Sequence, residues 1–313
     1  MKKMVVVLCM VLVASLCLAG CKSDDYALAV RLQEAGAYAE AAEVYTALAE
    51  YQDSADRLAV CRVEIAREEA FAQAEADYDA AAQNLIAKNK AFTETIASAE
   101  NALGSGTPLD PSLALALEQT ISQANGMIVA PIYSPRELDS MIAATKDMDA
   151  VDYQAITAVL EEQTGKLEES IVQCGLVNNP AEEYVVACLG NVPGITGIAP
   201  ATEKNDPNGN LNKDGGYTAA VFFAHENISK TTYSGDAILN RATSGGGCLE
   251  VYRTAEDAQA RNTYLTAFDG TALNSGSHTV VGTIVVRVSP KMTASAQDEV
   301  EAAIIAALLQ QNK

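Results

Sequence analysis

The chain has 313 residues, of which 49% are hydrophobic and 20% are charged, and 41 Asp and Glu face only 21 Lys and Arg. A formal net charge of −20 argues against a nucleic-acid partner, because binding to phosphates requires clustered basic side chains. The same charge argues against docking flat on an anionic bilayer, and the length suggests about two domains.

The first twenty residues have the layout of a secretion signal. Lys2 and Lys3 form a positive start, and residues 4–18 are mostly apolar but shorter than the roughly 20 residues of a transmembrane helix. The apolar stretch ends in Leu18, Ala19, Gly20 and Cys21, which resembles the bacterial lipobox at all four positions.

The lipobox resemblance implies that residues 1–20 are a signal peptide and that Cys21 is lipidated. The protein would then sit on the extracytoplasmic face of the cell membrane, held by acyl chains of the palmitate type. Two acyl chains anchor stably, whereas one is marginal. An ordinary secretory peptide followed by an incidental cysteine remains the alternative.

The other cysteines leave the disulfide state open. Four remain after processing, and they allow three full pairings: Cys61, Cys174, Cys188 and Cys248. Cys61 shares a helical stripe with Leu58 and Ile65, which favours a place in the core. No CxxC motif or Cys/His cluster has zinc spacing.

Residues 21–52 predict a helical hairpin beside the anchor. Gly36 suits the end of the first helix, because glycine adopts the left-handed conformation cheaply. The hairpin resembles the tetratricopeptide repeat through Ala29, Gly36, Tyr38, Ala41, Tyr45 and Leu48. The resemblance covers about one and a half repeats, and a free-standing solenoid needs about three. It implies a cap or a small partner-binding element, and a plain alanine-rich hairpin is the alternative.

Residues 53–175 predict an antiparallel coiled-coil bundle that acts as a stalk. A helix is expected from Ser54 to Leu103, with a heptad seam formed by Phe71, Tyr78, Leu85, Phe92 and Ala99. Further helices are expected after Pro111, at Ser134 and at Asp152. A peptide-binding groove is the functional alternative to a spacer.

Residues 180–313 predict a small α+β domain with a helix-covered sheet. Helices are expected over 181–189, after Thr254 and after Ser295. Strands are expected over 195–202, 217–225, 248–253 and 278–289. Residues 217–224 and 280–288 are apolar on both faces, which is typical of central strands. The predicted fold is therefore α plus α+β, with a hairpin and bundle preceding this domain.

The C-terminal domain resembles a module of uncharacterised surface proteins of Gram-positive bacteria. The segments that carry the resemblance are residues 205–208, 215–217, 245–247, 255–258 and 276–283. The resemblance implies a place at the cell surface and brings no known active site.

One loop of this domain has oxygen-bearing side chains at every second position. These are Asp206, Asn208, Asn210, Asn212 and Asp214. The spacing suits a loop around calcium, but Leu211 and Tyr217 stand where an EF-hand has Gly and Glu. Turn formation is the favoured interpretation for a sequence rich in Asn, Asp and Gly, and calcium binding is the alternative. Calcium is thus a candidate cofactor, and otherwise none is expected.

Residues for enzymatic chemistry are scarce. His225 and His278 are the two histidines, both near strand ends, and no GxSxG or HExxH motif occurs. Gly245, Gly246 and Gly247 fit an anion-binding nest less well than a turn or a close backbone approach. The sequence therefore favours a non-enzymatic interaction or adhesion lipoprotein. A small-ligand or calcium-binding lipoprotein is the alternative, and an envelope enzyme is least favoured.

Overall fold

A computed structural model describes residues 21–132, 135–229, 231, 234–271 and 274–310. The described residues divide into two compact units. The N-terminal unit contains residues 21–92 and 128–153, and the C-terminal unit contains residues 93–127 and 154–310. Helices in both units and a single sheet in the second confirm the predicted α plus α+β fold.

The N-terminal unit begins with the predicted hairpin, formed by α1 (Lys22–Glu34) and α2 (Tyr38–Leu48). Gly36 lies between them with φ +77°, as expected for the end of a helix. Its core is formed by small and aromatic side chains from both helices and the next one: Ala29, Ala41, Val44, Tyr45, Leu48 and Cys61. The prediction that Cys61 is a core residue is therefore confirmed.

Helix α3 (Ser54–Leu103) has the predicted bounds. Tyr78, Leu85 and Phe92 of the heptad seam are buried as expected, but Phe71 is 37% exposed. The expectation that the seam is buried along its whole length is therefore wrong at Phe71, which lies where the cover by α5 begins, near Leu138.

The seam of α3 is covered by α5 (Leu138–Asp149), which contributes Met141, Ala144 and Met148. Leu138 lies near Phe71 at one end, and Lys88 Nζ donates to the carbonyl of Asp149 at 3.1 Å at the other. Helix α5 therefore runs in the same direction as α3. The chain returns between them through residues 128–132, where Asn89 Nδ2 donates to the Val129 carbonyl at 2.8 Å.

The start of α5 differs from the prediction. The helix begins at Leu138, and its N-cap Glu137 makes no side-chain capping bond. The expected start at Ser134 is wrong, since residues 135–137 are not helical. Ser134 itself lies outside the described residues.

In the C-terminal unit, the end of α3 is followed by α4 (Ser112–Met127) and α6 (Gln154–Leu176). The start of α4 lies beside the end of α6, because Leu109 N donates to the Ser170 carbonyl at 3.1 Å. Asp110 N also donates to Ser170 Oγ at 3.0 Å. These two helices are therefore antiparallel, and the leucines buried in them are Leu117, Leu160 and Leu167.

The rest of the C-terminal unit contains five strands in the order β1-β2-β3-β5-β4, all antiparallel. In chain order the elements are α7 (Glu182–Gly190), β1 (Ile195–Pro200), β2 (Ala219–His225), α8 (Asp236–Leu239), a 3₁₀ turn (Ala242–Gly245), β3 (Gly246–Val251), α9 (Ala255–Thr266), β4 (His278–Val281), β5 (Ile284–Val288) and α10 (Ala294–Leu309). β2 and β5 lie inside the sheet, which confirms the prediction of central strands for residues 219–224 and 284–288, but residues 280–281 belong to the edge strand β4. The single strand expected over 278–289 is wrong, because Gly282 with φ +59° turns it into the β4–β5 hairpin.

Both faces of the sheet are covered. Helices α7 and α10 cover one face through Leu189, Ile304 and Leu308. The other face is covered by α8, α9 and the loop over residues 201–217. The loop that packs on this second face contains the oxygen-bearing side chains of residues 206–214.

Candidate functional site

The expected anchor lies at the start of the described chain. Cys21 is exposed and immediately precedes α1, and its carbonyl accepts from Asp24 N at 2.8 Å. Leu18, Ala19 and Gly20 lie outside the described residues. Helix α1 thus begins at the residue directly after Cys21.

The four other cysteines in the described part of the chain are free thiols. Cys61, Cys188 and Cys248 are buried, and Cys174 is half-buried. Burial raises the pKa of Cys188 and of Cys248, which keeps both thiols protonated. Protonated, enclosed thiols are poor nucleophiles, so their environment is that of core residues.

The oxygen-rich loop is organised by Asp206. Its carboxylate accepts four hydrogen bonds, of which the shortest come from Asn210 N and Tyr217 OH, both at 2.6 Å. Burial alone would raise the pKa of Asp206, but the bonds from Tyr217 and the loop backbone outweigh it and hold the pKa below its usual range. Asp206 therefore folds the loop with the oxygens expected to hold an ion.

The other candidate ligands of the loop point to different partners. Asn208 Nδ2 donates to Glu250 Oε1 at 3.3 Å, and Asn212 Nδ2 donates to Glu203 Oε1 at 3.0 Å. Asn210 and Asp214 are exposed. Among the residues that the structure describes, no group of three or more His, Cys, Asp or Glu could hold a metal ion.

Sequence analysis missed a buried ion cluster on the same face of the sheet. Glu250 of β3 is fully buried and lies between two arginines. Arg261 of α9 donates to both of its oxygens at 2.8 and 3.0 Å, and Arg287 of β5 donates at 2.7 Å. Tyr252 OH adds a fourth bond at 3.0 Å. Charged residues within otherwise apolar strands were the available signal for this cluster.

The charges and hydrogen bonds within the cluster set the pKa values of its members. Burial alone would raise the pKa of Glu250, but hydrogen bonds and charges from Arg261 and Arg287 outweigh it and lower the pKa. Burial, and next the charge of Glu250, raise the pKa of the Tyr252 hydroxyl. Glu250 is thus kept charged and the Tyr252 hydroxyl is kept protonated. Such a cluster joins β3, β5 and α9.

The two histidines occupy separate environments. His225 ends β2, where its Nδ1 accepts from Asn227 N at 3.2 Å, and burial lowers its pKa. His278 begins β4 and contacts Asn262 Oδ1 at 2.7 Å and Asp269 Oδ1 at 3.2 Å. The neighbouring Ser277 Oγ is buried without a hydrogen-bond partner. None of these contacts joins a histidine to a nucleophile.

Gly246 and Gly247 allow a close backbone approach in the sheet. A Cβ at Gly247 would lie 2.2 Å from the Arg287 carbonyl oxygen and 2.4 Å from Cζ of Phe223. One at Gly246 would lie 2.5 Å from the Phe223 carbonyl oxygen. The close-approach alternative for this run is therefore confirmed.

An open cleft lies in the N-terminal unit where α3 is uncovered. It has a volume of about 590 Å³ and is bounded by α3 and by the start of α5. Phe71 and Leu138 supply apolar surface, and the charged residues around them are Glu64, Arg67, Glu68, Glu75, Arg136 and Glu137. The cleft thus places the apolar side chains of Phe71 and Leu138 beside a mainly acidic set of charged residues.

Comparison with known proteins gives no relative: no protein family, no curated protein and no solved structure matches the chain. Over the part of the chain that the structure describes, no helix is both long enough and apolar enough to cross a membrane.

Proposed function

We propose that this protein is a bacterial surface lipoprotein, anchored to the cell membrane through Cys21, that acts as a non-enzymatic interaction or adhesion protein. The anchor rests on the four lipobox residues that end at Cys21. The interaction role rests on one observation, which is that the apolar seam of α3 is exposed to solvent around Phe71.

Apolar side chains of α3 continue past the end of its cover. Val60 is 51% exposed and Val63 is 66% exposed, and they lie near the same face as Phe71. Tyr78 and Leu85 prolong this face and are buried under α5. A run of apolar side chains on one helix face usually marks a contact, because exposed apolar surface is costly in water.

The anchor is tested by changing Cys21 to alanine in a bacterial host. The unaltered protein should fractionate with membranes and be released by detergent. The Cys21→Ala protein should appear in the soluble extracytoplasmic fraction, because it cannot accept the lipid. Equal membrane association of both proteins would contradict the anchor.

The interaction role is tested with the soluble chain that starts at Lys22. It is immobilised and exposed to the solubilised envelope of the source organism and to a panel of host matrix proteins. A saturable partner should be captured, and Phe71→Glu should abolish the capture. Leu115→Glu is the matched control, because Leu115 is 60% exposed but lies in the C-terminal unit. Absence of any saturable partner from both pools would overturn this role.

A further inference from the structure

The shape of the cleft indicates which structure fits it. Between Tyr78 and Leu85, α3 is covered by a helix, α5, which begins at Leu138 on the edge of the cleft. Because α5 runs alongside α3, a second helix placed in line with it would continue the same packing over Val60 and Phe71. Seams of this kind accept side chains from a facing helix as knobs into holes. The exposed part of the α3 seam at Val60, Val63 and Phe71, called the bare seam below, is therefore shaped for a helix.

The charges around the cleft indicate the composition of that helix. Four glutamates line the cleft: Glu64, Glu68, Glu75 and Glu137. Against them stand two arginines, and Arg67 is paired with Glu64 at 3.6 Å. The rim is therefore net negative, which favours basic residues beside the apolar face of the occupant.

The same rim argues against a second copy of this chain. A twofold interface would bring each cleft against its own equivalent, so acidic rims would face each other. Like charges at close range oppose association, and the whole chain carries a formal charge of −20.

From these observations we infer that the bare seam around Phe71 binds an amphipathic helix of a partner protein, with an apolar stripe flanked by Lys or Arg. This inference deepens the proposed interaction role and rests on it. The apolar stripe covers Val60, Val63 and Phe71, and the basic flanks approach Glu68 and Glu75. Helix-in-groove recognition of this kind depends on apolar anchors spaced along one helix face.

Two synthetic helices serve as probes, each of about 18 residues or five turns. The first has leucine at the seam positions and lysine at the flanks, and the second has glutamate in place of lysine. Binding to the chain from Lys22 is measured by fluorescence anisotropy at about physiological ionic strength. The leucine–lysine helix should bind saturably, and the leucine–glutamate helix should bind at least about tenfold more weakly.

Variants separate this site from general attraction to an acidic protein. Phe71→Glu should weaken the leucine–lysine helix by about tenfold or more, and the Glu68→Lys/Glu75→Lys pair should weaken it while strengthening the leucine–glutamate helix. Leu115→Glu and Glu161→Lys, at exposed positions of α4 and α6, should change neither affinity. Far-ultraviolet circular dichroism and thermal melting verify that each variant is folded.

Several outcomes would overturn the inference. Equal binding of both helices would show that the acidic rim does not select basic flanks, and binding unchanged in Phe71→Glu would show that the probe binds elsewhere on the acidic protein. A dimer in sedimentation velocity that Phe71→Glu dissociates would assign the seam to a second copy. If probe binding fails while capture of an envelope protein still depends on Phe71, the interaction role stands and only the basic-helix partner is wrong. If capture also fails, the proposed function falls with it.

Discussion

Glu250 links two strands of the C-terminal sheet and helix α9 through its buried carboxylate. A buried carboxylate is costly to remove from water, and here Arg261 and Arg287 offset that cost through three hydrogen bonds. Replacing the carboxylate would leave the buried guanidinium group of Arg287 and the half-buried one of Arg261 without their counter-charge. The Nε of Arg287 is already buried without a hydrogen-bond partner, so Arg287 has no spare contact to compensate.

We therefore expect Glu250→Gln to lower the free energy of unfolding by about 3 kcal/mol, the order seen when one partner of a buried ion pair is removed. Urea unfolding of the chain from Lys22, followed by circular dichroism, measures the change. Glu161→Gln, at an exposed position of α6, should stay within about 0.5 kcal/mol of the unaltered protein. An equally small loss in Glu250→Gln would mean that the arginines find other partners or water.

His225 makes a separate contribution that depends on pH. Burial lowers its pKa below the ordinary value of 6.5, so the unfolded chain binds a proton that the folded chain resists. The stability from neutral His225 is therefore fully present above pH 6.5 and is lost as pH falls toward the folded pKa. The unfolding free energy should decline on acidification within this window.

The His225→Gln protein should show a smaller decline over the same window, because glutamine does not titrate. Unfolding curves in urea, recorded from pH 7.5 down to about 5.5, give the slope for each protein. The slope, and not the absolute stability, is the readout, since the substitution also removes the contact with Asn227 N. Equal slopes in the two proteins would rule out His225 as the titrating group.

At the scale of elements, β3 packs unusually close to its two neighbouring strands at Gly247. Gly247 pairs with Phe223 on one side and with Val288 on the other, and the Phe223 ring and the Arg287 carbonyl leave no room for a side chain. A methyl group at Gly247 would meet the Arg287 carbonyl, which is backbone and cannot move independently of β5.

Gly247→Ala should therefore destabilise the protein by about 2 kcal/mol or more, as overpacking in a core does. Gly165→Ala is the matched control, because Gly165 lies inside α6 with nothing within 4 Å of the added carbon. That change should stabilise by up to about 1 kcal/mol, since alanine is the better helix former. The two alanine variants should thus shift the thermal midpoint in opposite directions. A neutral Gly247→Ala would refute the close approach.

Local patterns predicted most elements, because helix caps and periodicity are encoded within a few residues of the chain. Thr254 caps α9 through Asp257 N at 3.1 Å, as its sequence context indicates. The β4–β5 turn escaped prediction because the apolar pattern runs through it. The contacts that hold the turn come from a residue far away in the sequence. Gly282 lies against Val177, and Thr283 N donates to the Val177 carbonyl at 2.9 Å.

Periodicity also left open which part of a seam is covered. The heptads of α3 identify the correct face of the helix, but they contain no information on where α5 begins. Phe71 is exposed because α5 begins beside it, and the heptad pattern could not predict this. The ion cluster escaped prediction on similar grounds. Its arginines lie 11 and 37 residues from Glu250, a separation that no local motif reports.

At the scale of the whole molecule, 41 acidic residues stand against 21 basic ones, and the repulsion among the excess negative charges opposes folding to a compact state. Most acidic side chains of the long helices are exposed, where they repel one another through water and salt. Surface ion pairs such as Arg57–Asp53 and Lys166–Glu162 act in the opposite sense, but exposed pairs contribute little. Removal of Lys2 and Lys3 with a signal peptide would make the balance still more negative.

Screening should therefore stabilise this protein. Raising NaCl from about 10 mM to about 150 mM shortens the Debye length from ~30 to ~8 Å, so that repulsion between distant carboxylates is largely lost. We expect the thermal midpoint of the chain from Lys22 to rise by a few degrees, measured by circular dichroism at neutral pH. Glu250→Gln should show the same rise from a lower starting point, because buried pairs are screened much less than exposed charges. A midpoint that falls with salt would mean that surface pairs, and not repulsion among the acidic side chains, dominate the electrostatics of the folded chain.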